Sequence, residues 1–152
     1  MTTDTLTTLL QQAESQRNIA LAAFNQARGR RDDARAQGRD LETYRHDYTE
    51  RWADQFKRGA PLEVVRSYHQ FAGRLDTAIA QQATAITVCE QALERANDVL
   101  LAHELRVASV RKLIERRVHD LRQGVMQREQ RADDELALRM RAPRNPFAGT
   151  QL

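Results

Sequence analysis

What this chain has little of narrows its class before any motif is sought. Its 152 residues contain one cysteine, three prolines, six glycines and only 5% aromatic residues. A single thiol, Cys89, excludes an internal disulfide, and with His46, His69, His103 and His119 scattered on different turns no metal-ligand spacing exists. The prolines fall at 61, 143 and 146, which leaves two long stretches free of helix breakers. No run approaches the roughly 18 apolar residues of a membrane span. The N-terminal sequence MTTDTLTTLLQQAE also lacks the basic segment and apolar core of a secretory signal. A soluble cytoplasmic protein is expected. With 41% apolar residues, many of them alanine, and 30% charged ones, the composition is thin for a globular core and suits an elongated architecture.

Charge is present in quantity but unevenly. Residues 1–60 carry ten Lys/Arg against nine Asp/Glu, residues 61–105 three against six, and residues 106–152 eleven against six. The C-terminal stretch is therefore locally basic within a net charge of +3. Almost all cations are arginine, whose planar fork pairs with carboxylates or phosphates. Most of them are read as a solvated helix face, and the acids interspersed among them argue against nucleic-acid binding.

Periodicity carries the fold. With Val65 as a heptad a position, the column continues through Ala72, Ile79, Ile86, Leu93, Leu100, Val107, Ile114 and Leu121 without a polar residue. The d column is mixed, with Tyr68, Leu75, Gln82, Cys89, Ala96, His103, Val110, Arg117 and Gly124. Cys89 thus falls on the seam as a structural thiol. Upstream, Leu6, Ala13, Ala20, Ala27, Ala34, Leu41, Tyr48 and Gln55 repeat every seven residues, with small side chains in the middle. Between the two patterns lies Arg58-Gly59-Ala60-Pro61, a C-cap glycine followed by a proline placed to open a helix at N1. So short a link favours antiparallel neighbours.

These signals predict an all-α protein, a long antiparallel two-helix coiled-coil hairpin over residues 1–142, with helices at about 3–58 and 62–142 and the second the longer. Residues 143–152 are expected to form a disordered tail. Leu6 is expected opposite Ile114, so that Glu115 to Ala142 extends alone and frays. Two features stand outside the seam. Val64, Phe71, Ala78, Ala85, Ala92 and Val99 widen the apolar stripe of the second helix, and Leu41, Tyr44, Tyr48, Trp52 and Phe56 gather most aromatics before the turn. Rigid aromatics near a helical tip suit a docking site, and they equally suit a seam that thickens where alanines stop. Catalysis is not expected, because there is no Gly-rich phosphate loop and no nucleophile with a base on a pocket-forming scaffold. No cofactor is expected either.

Several segments resemble one family. Gln37-x-x-x-Leu41-x-x-Tyr44-x-x-x-Tyr48 is similar to a signature of FliJ, the flagellar export protein. Tyr68, Gln70, Phe71, Leu75, Ala78, Ile79 and Gln81 follow that family's opening of the second helix, with Gln82 standing where a family member has histidine. Glu129, Gln130, Arg131, Asp134, Glu135, Ala137 and Arg139 resemble its C-terminal motif, with arginine for the usual lysine, and Leu6, Thr7, Thr8, Leu9, Ala13 and Glu14 fit its start.

The resemblance implies more than the spacing shows. FliJ proteins are antiparallel coiled coils similar to the terminal helices of the rotary ATP synthase γ subunit. They are thought to insert into the hexameric ring of the export ATPase FliI, promote its assembly, link it to the export gate protein FlhA and bind empty export chaperones. By resemblance, the gate surface comprises Gln37, Leu41, Tyr44, Tyr48, Phe71, Leu75 and Ala78. ATPase-ring contacts fall to Leu6, Leu9, Ala13, Gln130, Arg131, Asp134, Glu135 and Ala137. A cytoplasmic protein follows, peripheral to the inner membrane through the gate and monomeric when free.

Two other readings remain from the residues: the equivalent stalk of a virulence-type secretion system, such as the YscO group, and a self-associating scaffold that pairs its apolar flank. Sedimentation velocity is expected to give an elongated monomer independent of concentration, whereas a concentration-dependent species would favour the scaffold.

Overall fold

The computed structural model describes residues 2–141, so the expected tail at 143–152 lies outside the described residues. The fold is all-α, a helical hairpin of α1 (Thr3–Lys57) and α2 (Leu62–Arg141), the second helix longer. Thr2 caps α1: its hydroxyl oxygen accepts a hydrogen bond from the Thr5 amide at 3.3 Å, and Asp4 places a negative charge on the positive end of the helix dipole. At the other end Gly59 takes φ +88°, the left-handed conformation that lets the chain leave α1 within one residue. The Pro61 carbonyl accepts the Val65 amide at 3.2 Å. That bond makes Pro61 the N-cap and Leu62 the first helical residue, one position later than the N1 proline expected from the sequence, and the fixed proline φ serves either position.

Contacts divide the chain into two units, residues 12–107 and residues 1–11 with 108–152. Within 12–107 the helices run antiparallel, as the cross-pairs Arg35–Glu90 and Arg45–Asp76 fix. The seam is built from unequal halves. On α1, Ala13, Ala20 and Ala34 are buried and Ala27 half-buried. Against them α2 supplies the larger side chains, with Ala72, Leu75, Leu100 and Val107 buried, the last only 2% exposed. A second α1 column completes the seam: Arg17, Phe24, Arg31, Gly38, Arg45 and Trp52 are partly covered at seven-residue spacing. At Gly38 a β-carbon would stand 3.0 Å from the Ile86 methyl, so the glycine keeps that layer open for isoleucine. Gln82, a polar residue in an otherwise apolar pattern, donates its amide to the Ala34 carbonyl at 2.8 Å and reaches the Gln37 side chain at 3.4 Å. No buried side-chain donor or acceptor among the described residues lacks a partner.

In the other unit, Leu6 and Val110 are buried and Ile114 is half-buried, while Leu121, the ninth member of the apolar column, is 45% exposed. From Val125 to Arg141 every side chain is exposed, yet α2 continues through that stretch. The expected helix to about residue 142 can continue here without a packing partner because extending an already nucleated helix costs far less than starting one, and because Gln, Glu, Arg, Leu, Met and Ala dominate the stretch. Among the described residues no helix is long and apolar enough to cross a membrane.

Truncation tests this division of labour. Leu100→Ala removes a buried seam side chain and is expected to cost about 2–4 kcal/mol. Val88→Ala, at an exposed position, is expected to stay within about 0.5 kcal/mol. Equilibrium urea unfolding followed by helicity distinguishes the two.

Candidate functional site

Four-residue spacing puts Tyr44, Tyr48, Trp52 and Phe56 on one face of α1, where α2 brings Tyr68 and Phe71 alongside. Tyr48 is the centre of the cluster: its ring lies 4.7 Å from Phe71, 5.5 Å from Tyr68 and 6.2 Å from Trp52. Phe56 meets Tyr68 edge-on at 5.1 Å, and Tyr44 meets Phe71 edge-on at 6.3 Å. Such offset and edge-on pairs are favoured by the ring quadrupoles. The burial of these residues is divided. Five of the rings are half-buried and so thicken the seam, while Tyr44 is 51% exposed and ends the ladder on an open surface.

The residues assigned to the gate surface separate by burial. Gln37, Leu41 and Tyr44 line one shallow depression of about 530 Å³ together with Asp40 and Gln82. Tyr48, Phe71 and Ala78 are half-buried. Leu75 is 7% exposed and sits inside the seam, so it supports this surface from beneath instead of facing outward. Alanine there would weaken the hairpin as well as any docking.

On the opposite flank an ion pair braces the cluster. Arg45 donates from Nε to Asp76 Oδ1 at 2.9 Å and also bonds the Thr49 hydroxyl. The Asp76 hydrogen bond, with a smaller contribution from Tyr68, raises the Arg45 guanidinium above its ordinary value. Reciprocally, that bond to Arg45 holds the Asp76 carboxyl below its ordinary range. Arg35 and Glu90 repeat the arrangement farther from the turn at 2.8 Å. These cross-pairs escaped the sequence reading; a signal was present only for Arg45, which shares a seven-residue column with Arg17, Phe24, Arg31 and Trp52.

The residues assigned to the ATPase ring fall into two kinds. Leu6 and Ala13 are buried seam residues, each in its own unit, and Leu9 is half-buried. Gln130, Arg131, Asp134, Glu135 and Ala137 are fully on the surface. Among the described residues no ion pair joins Arg131, Asp134 and Glu135 to one another, and all three side chains are exposed. Among the described residues no group of three or more His, Cys, Asp or Glu is placed to hold a metal ion.

The family model described as flagellar FliJ protein matches residues 2–145 of the chain. No curated protein and no solved structure gives a match.

The Arg45–Asp76 pair has a pH signature. Because the folded carboxyl titrates below its unfolded value, its contribution to stability is present above the ordinary carboxylate range and is lost as pH falls through the lowered folded value. Asp76→Asn is therefore expected to lower the melting temperature at neutral pH, with the difference from the unmodified chain closing in strong acid. A melting series across pH checks this.

Proposed function

The chain belongs to the flagellar FliJ family and is a component of flagellar type III export; on that premise we propose that it is the non-catalytic stalk and escort protein of the apparatus. In this reading it inserts into the ring of the export ATPase FliI and promotes ring assembly. It couples the ring to the export gate protein FlhA and binds empty export chaperones, working at the cytoplasmic face of the inner membrane. The observation that carries the reading is the family match over residues 2–145, which spans nearly the whole chain.

The site geometry supports the division of roles. Gate docking is assigned to Gln37, Leu41, Tyr44, Tyr48, Phe71 and Ala78, with Leu75 as their support. Large half-covered aromatics on a rigid helical face are the kind of residue that dominates protein interfaces, because they bury much area at little conformational cost. Contacts to the ATPase are assigned to Gln130, Arg131, Asp134, Glu135 and Ala137, with Leu6, Leu9 and Ala13 acting through seam packing. Exposed, mixed-charge side chains suit a surface that changes partner as ring subunits cycle. The aromatic signatures favour the flagellar system over a virulence-type one.

ATP hydrolysis by the cognate export ATPase, measured with and without this protein and alongside ring assembly, tests the stalk role. Stimulation accompanied by hexamer formation is expected. No stimulation together with no binding would leave a generic coiled-coil adaptor as the description.

A further inference from the structure

The two flanks of the seam in residues 12–107 differ in kind. One is closed by charge, with Arg35 on Glu90 and Arg45 on Asp76. The other is an open groove. There α2 presents Phe71, Ala78, Ala85, Ala92 and Val99 at seven-residue intervals, and Val99 is 52% exposed. On α1, Ala23 lines a depression with Val99, Tyr44 meets Phe71, and Gln37 lies beside Gln82.

The rim of this groove carries a pattern that nothing within the chain uses. Asp33, Asp40 and Asp47 recur every seven residues on α1, which places three carboxylates on one face. Asp40 borders the depression beside Gln37 and Tyr44, which identifies that face as the groove's edge. All three are exposed. None has an ion-pair or hydrogen-bond partner among the described residues, unlike their neighbour Asp32, which is held by Arg31 at 2.8 Å. Arg74 and Arg95, also exposed, stand on the α2 side. Arg30 and Arg51 bound the aspartate row at its two ends.

The spacing of the carboxylates selects the occupant's secondary structure. Seven residues of α1 advance about 10.5 Å at 1.5 Å per residue, close to two turns of a second helix. An extended strand presents same-face side chains about every 6.6 Å and falls out of step with the row. Three unpaired anions beside an apolar floor then call for cations on the adjoining edge of the incoming helix. Such complementarity steers association and fixes register.

We infer that the groove receives an amphipathic helix of the export gate, with its apolar stripe on Tyr44, Phe71 and Ala78 and a row of Lys or Arg at about seven-residue spacing against Asp33, Asp40 and Asp47. The inference rests on the gate-docking reading above and adds the shape and charge of the gate segment. The row spans about 21 Å, which corresponds to four turns of the docked helix.

The test measures binding of the full chain to the purified cytoplasmic domain of the gate protein over a salt series. Four proteins are compared: unmodified; Asp33→Asn with Asp40→Asn and Asp47→Asn; Glu50→Gln with Glu94→Gln and Asp98→Asn, an equal charge change on outward faces; and Tyr44→Ala with Phe71→Ala. Circular dichroism checks that each keeps its helicity. The rim triple is expected to bind about tenfold more weakly at low salt, with the gap narrowing as salt screens the pairs, while the outward triple stays within about twofold. If Tyr44→Ala with Phe71→Ala abolishes binding but the rim triple binds like the unmodified chain, the basic helix is overturned and the gate reading stands. Equal losses in both triples reduce the effect to net charge and also overturn it. No binding by the unmodified chain overturns both. A crosslinker placed at residue 40 gives an independent readout: capture of a helical gate segment with a basic edge is expected, and capture of a segment without one overturns the inference.

Discussion

Because α1 contributes Ala13, Ala20, Ala27 and Ala34 to the seam between residues 12 and 107, the separation of the helices there is set by the side chains of α2. At the alanine positions a large side chain fills the seam from the α2 side only, while the alternate α1 column adds Phe24 and the stems of Arg17 and Arg31. Two details depend on that close approach. Gly38 is required where Ile86 would otherwise meet a β-carbon at 3.0 Å. Gln82 can reach across to a main-chain carbonyl, which a wider seam would place out of range. The alanine column is thus a constraint on which the glycine placement and the reach of Gln82 across the seam depend.

Toward the turn the constraint relaxes. After Ala34 and Gly38 the α1 columns change to Leu41, Arg45, Tyr48 and Trp52, and the small-against-large arrangement gives way to rings packed on rings. Aromatic side chains are too large to be covered completely by one facing helix, so part of each stays on the surface. The same substitution of large for small that thickens the seam therefore creates the exposed apolar surface. The proposed docking surface and the seam share residues here, so burial, and not residue type, separates Leu75 from Tyr44.

Much of this was legible in the sequence. An unbroken apolar column of nine positions and a Gly-Ala-Pro link specify two antiparallel helices, and the structure places their ends within a residue of the expected boundaries. The other half of the α1 seam was not legible in the same way, because it is filled by Arg17, Arg31 and Arg45. Their long hydrocarbon stems cover the seam while the charged ends reach outward, so a pattern scored by residue type marks them as surface. The extent of α2 was legible too, from the lack of any helix breaker between Leu62 and Ala142, and beyond its last covered residues propagation from a nucleated segment suffices to continue it. Of the candidate site, the aromatic positions were visible as a cluster, but their exposure depends on the facing ring of α2, which no spacing within α1 encodes.

The asymmetry of the flanks bears on how one hairpin could serve several partners. On the paired flank, a docking helix would have to displace Arg35 from Glu90 or Arg45 from Asp76 before gaining anything, and the charges left without partners would oppose it. On the groove flank, with small side chains at Ala78, Ala85 and Ala92, no cross-helix ion pair stands in the way among the described residues, and the long Gln82–Gln37 contact at 3.4 Å is the weaker obstacle. On the reading proposed above, partner choice would be biased to one side by what the hairpin already satisfies internally. On the same reading, exposed charge at Asp33, Asp40 and Asp47 on this unit, and separately at Arg131, Asp134 and Glu135 on the other, would distinguish one class of partner from another.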